Sequence, residues 1–363
     1  MLFNDWRRRA LVLAAASASV LLVSCGSDTA DTPAQFSTVV ALGASVSDTG
    51  NACPTATGAC PPVPPYAAGR FSNGQIWIDT IAARYSASAR NSNAGGANFA
   101  VGGARTGSIR AALNAAGLNA IVFTDTTTPS MTQQLDAALT RFNFAISPTS
   151  LVVLDAITVG NNIAAALALA GANPAQSSAI STAVVTGAVT DMVVMINRLY
   201  AAGARHILIF NAPNIGNTPR VQSAAAAAAA QVLNAGGTQQ QATAAAQQII
   251  GGATAMSVGI PNVSPGFNGA LAGQLPGLRA AFSGLNIYLV DVGALEVQLR
   301  AGTAPNQPAF TNTAQPCFVP PVAPATTPTV CATPDSYFYW DDFHPTSAVS
   351  TYLGQRAIAA LTP

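Results

Sequence analysis

Residues 38–51 read TVVALGASVSDTGN. Thr38–Leu42 is a short β-branched and apolar run, and it breaks into small and polar residues at Gly43. That pattern predicts a buried strand ending in a turn. Gly43 permits a sharp turn, and Ser45 then stands at the start of whatever follows, with Ser47, Asp48 and Thr49 as capping-type residues. A serine at a helix start has a backbone N–H and a favourable dipole beside its hydroxyl, which suits a developing alkoxide. Taken alone, the segment reads equally well as a plain helix cap.

Outward from this stretch, four more apolar runs predict strands: roughly Ala97–Val101, then Ser150–Leu154, His206–Phe210 and Asn286–Val290. Helical patterns separate them at Ile76–Tyr85, Met131–Phe142, Ile180–Ala202, Val221–Leu233 with Gln239–Ile250, and Ser347–Ala360. The run of seven alanines, 224–230, is too short for a membrane span and reads as a surface helix. Alternating strands and helices with continuously apolar strands predict an α/β protein. Right-handed crossovers make it a three-layer α/β/α sandwich with a five-stranded, mainly parallel, flavodoxin-like sheet. Such sheets carry their chemistry at the carboxyl ends of the strands.

Of the 363 residues, 50% are hydrophobic and 8% charged, which excludes disorder along the whole chain. All fifteen cations are arginines; beyond Cys25, twelve of them face thirteen acids, a net charge near −1. No basic stripe exists to meet a phosphate backbone, so no nucleic-acid partner is expected. The absence of lysine excludes Schiff-base chemistry. Glu296 is the only glutamate, and His206 and His344 are the only histidines, so few residues are available for acid–base work.

Arg7–Arg9 precede a fourteen-residue apolar run, Ala10–Val23. It is too short for about 30 Å of hydrocarbon but suits a secretory signal. Leu22-Val23-Ser24-Cys25-Gly26 resembles a bacterial lipobox. The expectation is a lipoprotein-type signal peptide over 1–25 with Cys25 lipidated, a polar tether over 26–36, and one folded domain over 37–363. The protein would then be exported to the outer membrane, periplasm or cell surface and held at a membrane by its N-terminal lipid. An ordinary signal peptide and full secretion is the competing reading. Cys53 and Cys60, and Cys317 and Cys331, lack the spacing and histidines of a zinc site, so no metal is expected. Two local disulfides in an oxidising compartment are the simplest pairing, with the other two connectivities left open.

Near the other end, residues 339–346 read YWDDFHPT. A carboxylate at Asp341 can reach the Nδ1 of His344 three residues on, fixing the tautomer and freeing Nε2 to take a serine proton. A surface turn before Pro345 is the bland alternative. His206 begins its strand, at the wrong edge of the sheet for a shared site, and reads as structural.

GASVSDTGN and WDDFHPT together resemble the GDSL or SGNH family of serine esterases and lipases. GRFSNGQIWID (69–79), NFAVGGARTG (98–107) and ARHILIFNAPNIGNTP (204–219) are similar to further blocks of that family, in order along the chain. The chain departs from the usual pattern at Ala44, where aspartate is common, and at Val46, where leucine is. The resemblance implies an SGNH hydrolase domain in which Ser45 is the nucleophile, His344 the base and Asp341 its orienting acid. It implies an oxyanion hole from the Ser45 and Gly103 N–H groups and one asparagine side chain. In LVVLDAITVGNNIAA (151–165) two registers compete for that asparagine. Asn161 is preferred, because Asn162 then replaces the family's aspartate; Asn162 is the alternative, with Ile163 in the aspartate's place. The substrate implied is a carboxylic ester, cleaved with no metal or organic cofactor.

Asp342 reads as a turn-capping neighbour, and Asp48, Asp155 and Asp291 as loop-organising carboxylates. The proline-rich stretch 301–335 either walls a substrate pocket or is a surface excursion. Two other functions fit the same residues. One is acyl transfer to a sugar or sterol, and the other a non-catalytic lipid- or carbohydrate-binding lipoprotein on an esterase scaffold.

Overall fold

In the computed structural model, residues 35–53, 60–321 and 327–362 are described. The signal segment, Cys25 and the tether up to residue 34 lie outside the described residues. Thr38–Leu42 (β1), Ser150–Asp155 (β2), His206–Phe210 (β3) and Asn286–Val290 (β4) form one parallel sheet in the order β1-β2-β3-β4. Register aligns Val40 with Val152, Val152 with Ile207, and Ile207 with Ile287. Side chains alternate across the sheet, so those four point to one face together with Leu42, Leu154 and Ile209.

That face is buried under Ile109–Ala115 (α2), Met131–Arg141 (α3), Val159–Ala172 (α4), Ser177–Ala201 (α5) and Gly266–Ala281 (α8), in one apolar cluster. Residues 174–201 are long and apolar enough to cross a membrane; here Val184, Met192, Met195 and Ile196 of that stretch are buried in the core. On the other face, Trp77–Arg84 (α1) packs beside Ser347–Leu361 (α10). Trp77 sets its ring 4.2 Å from that of Phe210. Fully buried side chains such as Leu42, Leu154 and Ile209 each contribute roughly 1.5–3 kcal/mol relative to exposure. Pro219–Asn234 (α6) and Gln239–Ser257 (α7) make an alanine-rich helical pair, and Val292–Ala301 (α9) follows β4.

The expected fifth strand at 97–101 does not form, so the sheet has four strands. The segment does lie along the outer edge of β1: Ala41 N donates to Ala97 O (3.1 Å), Phe99 N to Ala41 O (2.8 Å) and Val101 N to Gly43 O (3.2 Å). Only isolated bridges result, Ala41 with Asn98 and Asn91 with Asn98. Side chains take the remaining bonding groups. Asn51 Nδ2 donates to the carbonyls of Asn98 and Ala100, and Asn98 Oδ1 accepts the Ala100 N–H. Because this edge and β2 flank β1 on opposite sides, the winding reverses at β1. A crevice therefore opens beyond the carboxyl ends of β1 and β2.

The proline-rich stretch is not a plain loop. Asn312–Pro316 (β5) pairs in parallel with Tyr337–Tyr339 (β8), and Phe318–Val319 (β6) pairs antiparallel with Thr329–Val330 (β7). Disulfides join Cys53 to Cys60 and Cys317 to Cys331, the local pairing. Such bonds persist in oxidising surroundings and place the domain in an extracellular or periplasmic setting.

Candidate active site

The turn after β1 is built from buried polar contacts. Gly43 lacks a side chain because Asp155, at the end of β2, fills the space: a β-carbon on Gly43 would stand 2.6 Å from Asp155 Cβ. Close approach, not an unusual turn angle, is what requires glycine here. Gln134 of α3 holds the same peptide from both sides, accepting the Gly43 N–H and donating to its carbonyl, each at 2.9 Å. Ser47 donates to Asp155 Oδ2 at 2.5 Å.

Among the described residues no helix follows this turn before α1, and Ser45 is not a helix N-terminal residue. Asp48 explains the difference. Its carboxylate accepts the N–H groups of Gly50, Asn51, Ala52 and Gly102 at 2.6–3.0 Å, ending the turn and tying it to the oxyanion-loop candidate. Burial nevertheless outweighs those four amides and raises the Asp48 pKa. Asp155 is fully buried, and burial pushes it up to about 6 against the Ser47 hydroxyl and two backbone donors. Both carboxylates organise loops, and Asp291 caps α9 in the same way.

His344 reaches this turn from the far end of the chain. Its Nε2 lies 2.7 Å from Ser45 Oγ, and its Nδ1 lies 2.7 Å from Asp341 Oδ2. Ser45, Asp341 and His344 are all buried. Asp341 Oδ1 accepts two backbone N–H groups, from Phe343 (2.8 Å) and His344 (2.7 Å), so the tight turn that brings the carboxylate back is closed by its own side chain. Burial alone would raise Asp341; the His344 charge and these hydrogen bonds outweigh it and hold the carboxyl well below the usual range. With Nδ1–H donating to that anion, Nε2 carries the lone pair that accepts the Ser45 hydroxyl.

Several residues with no mark in the sequence hold this turn. Tyr66 Oη donates to Asp341 Oδ2 at 2.7 Å. Its ring meets Phe318 and Trp340 edge-on, at 5.3 and 5.9 Å. Phe318 N donates to Trp340 O and Cys317 N to Tyr339 O, so the disulfide-closed hairpin braces the segment just before Asp341. From the other side Arg220, in the first turn of α6, makes two hydrogen bonds to Asp342, at 2.9 and 2.8 Å, and lies over the Phe343 ring. Phe71 packs against the His344 ring. Val46, Phe343 and Pro345, chain neighbours of Ser45 and His344, line a small apolar cavity of about 40 Å³ behind the two turns.

Gly103 has φ +82°, a conformation that favours glycine, and nothing comes closer than 4.0 Å to where its β-carbon would be. Among the described residues, the N–H groups of Ser45 and Gly103 donate to no protein acceptor. The two asparagines differ. Asn161 is half-buried and donates from Nδ2 to Ala104 O at 2.7 Å, beside Gly103. Asn162 is buried and spent on Thr106, whose N–H it accepts (3.1 Å) and whose hydroxyl it faces (3.0 Å). His206 sits at the opening of β3, against Phe36 and Tyr288, far along the strand from these carboxyl-end loops.

A sequence model of the family described as GDSL-like lipase/acylhydrolase matches residues 39–357. Phosphatidylcholine-sterol acyltransferase of Aeromonas hydrophila is 30% identical over 204 residues, which is 56% of this chain and 52% of that protein. The alignment thus spans about half the length of that relative.

Proposed function

The chain belongs to the GDSL-like lipase/acylhydrolase family, and from that premise we propose that it is a serine hydrolase that cleaves carboxylic esters through an acyl-enzyme. Ser45 Oγ attacks the ester carbonyl carbon while His344 Nε2 takes its proton. Asp341 holds the imidazole by Nδ1 and stabilises the imidazolium. The oxyanion lies among the N–H groups of Ser45 and Gly103 and the side chain of Asn161, where each donor is worth about 3–4 kcal/mol. Collapse expels the alcohol, which leaves with the proton from His344. A water then gives a proton to His344 and attacks the acyl carbon; the acyl–Oγ bond breaks, His344 returns the proton to Ser45 Oγ, and the acid is released.

The observation that carries this reading is the relay Asp341–His344–Ser45, two contacts of 2.7 Å, the second of which joins groups 299 residues apart. Asn161 is favoured as third donor because Asn162 is committed to Thr106. The likeness to an acyltransferase keeps a second reading open, in which an acceptor alcohol replaces water in the second half-reaction. Lipidation of Cys25, with anchoring at a membrane after export, completes the proposal.

The test is turnover of p-nitrophenyl esters of short and long acyl chains by the wild type, Ser45→Ala and His344→Ala, with and without an acceptor alcohol. Loss in both variants, and labelling of Ser45 by an organophosphonate, is expected. Wild-type turnover in either variant removes the assignment, and acyl product on the acceptor in preference to free acid selects the transferase.

A further inference from the structure

Asp341 carries one hydrogen bond more than an orienting acid needs. Its Oδ1 is filled by the N–H groups of Phe343 and His344, and its Oδ2 receives both His344 Nδ1 and the Tyr66 hydroxyl, each at 2.7 Å. The phenol and the imidazole therefore compete for one oxygen. Tyr66 is no casual neighbour: its ring packs edge-on against the stacked pair Phe318 and Trp340, and its N–H donates to Pro62 O. The charged groups facing it are Asp341, Asp342 and Arg220, and Arg220 is already engaged by Asp342. Burial first, then the Asp341 anion, raises the Tyr66 pKa, so the phenol stays a donor across the working pH range.

From this geometry we infer that Tyr66 is a positioning residue, a fourth member of the relay that fixes Asp341 and tempers its pull on His344. The inference rests on the hydrolase reading above. A hydrogen bond to the charged form of an acid stabilises that form and draws charge from the accepting oxygen. Without the phenol, Oδ2 faces His344 alone and holds the imidazolium proton more firmly. The base then stays occupied to higher pH, and the carboxylate, freed on one side, orients it less well.

The test is the pH profile of kcat/KM on a short p-nitrophenyl ester for the wild type, Tyr66→Phe and Phe318→Leu. Tyr66→Phe keeps the ring and its packing while removing only the donor. Its acid limb is expected to move up by about half a unit to one unit, with a plateau roughly three- to tenfold lower. Phe318→Leu loosens the packing but keeps the hydroxyl, so its plateau falls and its acid limb stays. An unmoved limb in Tyr66→Phe, or an equal shift in Phe318→Leu, overturns the inference. Ser45→Ala measured alongside separates the two failures: if it is inactive while the limb is unmoved, only the role of Tyr66 is lost. If it retains turnover, the hydrolase reading falls as well.

Discussion

The Phe71 ring lies 5.2 Å, centroid to centroid, from the His344 imidazole and is tilted 35° to it. Gly102 makes that packing possible, since a β-carbon there would stand 2.5 Å from Phe71 Cζ. Gly102→Ala must displace the ring and so disturb its packing on His344. Misplacing a reacting group by about 1 Å can cost on the order of a hundredfold, so a ten- to hundredfold drop in kcat is expected. Gly102→Ala combined with Phe71→Leu should recover part of it, and steady-state kinetics of the single and double variants decide the matter.

Adjacent aspartates should behave very differently. Asp341→Asn leaves the turn but offers His344 the wrong partner, and kcat should fall by about 10⁴, the size of effect seen when a serine-protease triad loses its acid. Asp342 is half-exposed, and its pairing with Arg220 is a surface ion pair. Asp342→Asn should cost about 1 kcal/mol or less of stability and leave kcat within a few fold. Equal losses in both would place the acid wrongly.

Asn161 and Asn162 also separate, by the kind of loss. Asn161→Ala should lower kcat by about 10²–10³ with little change in KM or melting temperature. Asn162→Ala leaves the buried Thr106 N–H without its acceptor, while the hydroxyl keeps Asp191, and should cost about 1–3 kcal/mol of stability. Paired kinetic and calorimetric measurements would expose a reversed assignment.

The buried Asp155 sets a pH dependence whose sign is fixed. Its carboxyl is raised to about 6 in the folded chain from 3.8. Between those values the folded state holds a proton that the unfolded state has released, so its contribution to stability falls as pH rises through that window. Asp341, shifted down, works in the opposite sense and loses its contribution as pH falls below the ordinary carboxyl value. Relative to Asp155→Asn, which does not titrate, the wild type should lose roughly 3 kcal/mol between pH 4 and pH 7. Denaturant unfolding at several pH values reads this, and a difference independent of pH would sink it.

What the sequence disclosed, and what it hid, follows from how local each interaction is. Asp341 and His344 lie three residues apart on one turn, so their pairing is written in a single short motif. Ser45 stands where an apolar run breaks, a local signal too. Tyr66, Arg220 and Phe71 act on that same turn across very long separations, 275 residues for Tyr66 to Asp341 and 122 for Arg220 to Asp342. Phe71 lies inside the block 69–79 and Arg220 just after the block 204–219, but nothing local marks either of them, or Tyr66, as a partner of the Asp341–His344 turn.

The missed helices have a different cause. Residues of α4 are apolar on nearly every side, which blunts the helical period, and α8 contains Pro276 and four glycines, 266, 269, 273 and 277. Tertiary burial makes these segments helical where propensity is weak. The fifth strand failed for a related reason: the apolar run at 97–101 does lie along β1, but Gln134, far from it in sequence, takes the Gly43 N–H that would continue the ladder, and Asn51 takes the outward carbonyls of Asn98 and Ala100.

The contact between Ser45 and His344 spans 299 positions of the chain. A ribosome delivering this polypeptide, or a translocon passing it through a membrane, must release almost all of it before the two groups can meet. On the proposed mechanism, every shorter nascent fragment holds the hydroxyl without its proton acceptor and cannot attack ester bonds in the compartment where it is made. The order of the chain thus acts as a timer that withholds reactivity until synthesis and folding are complete.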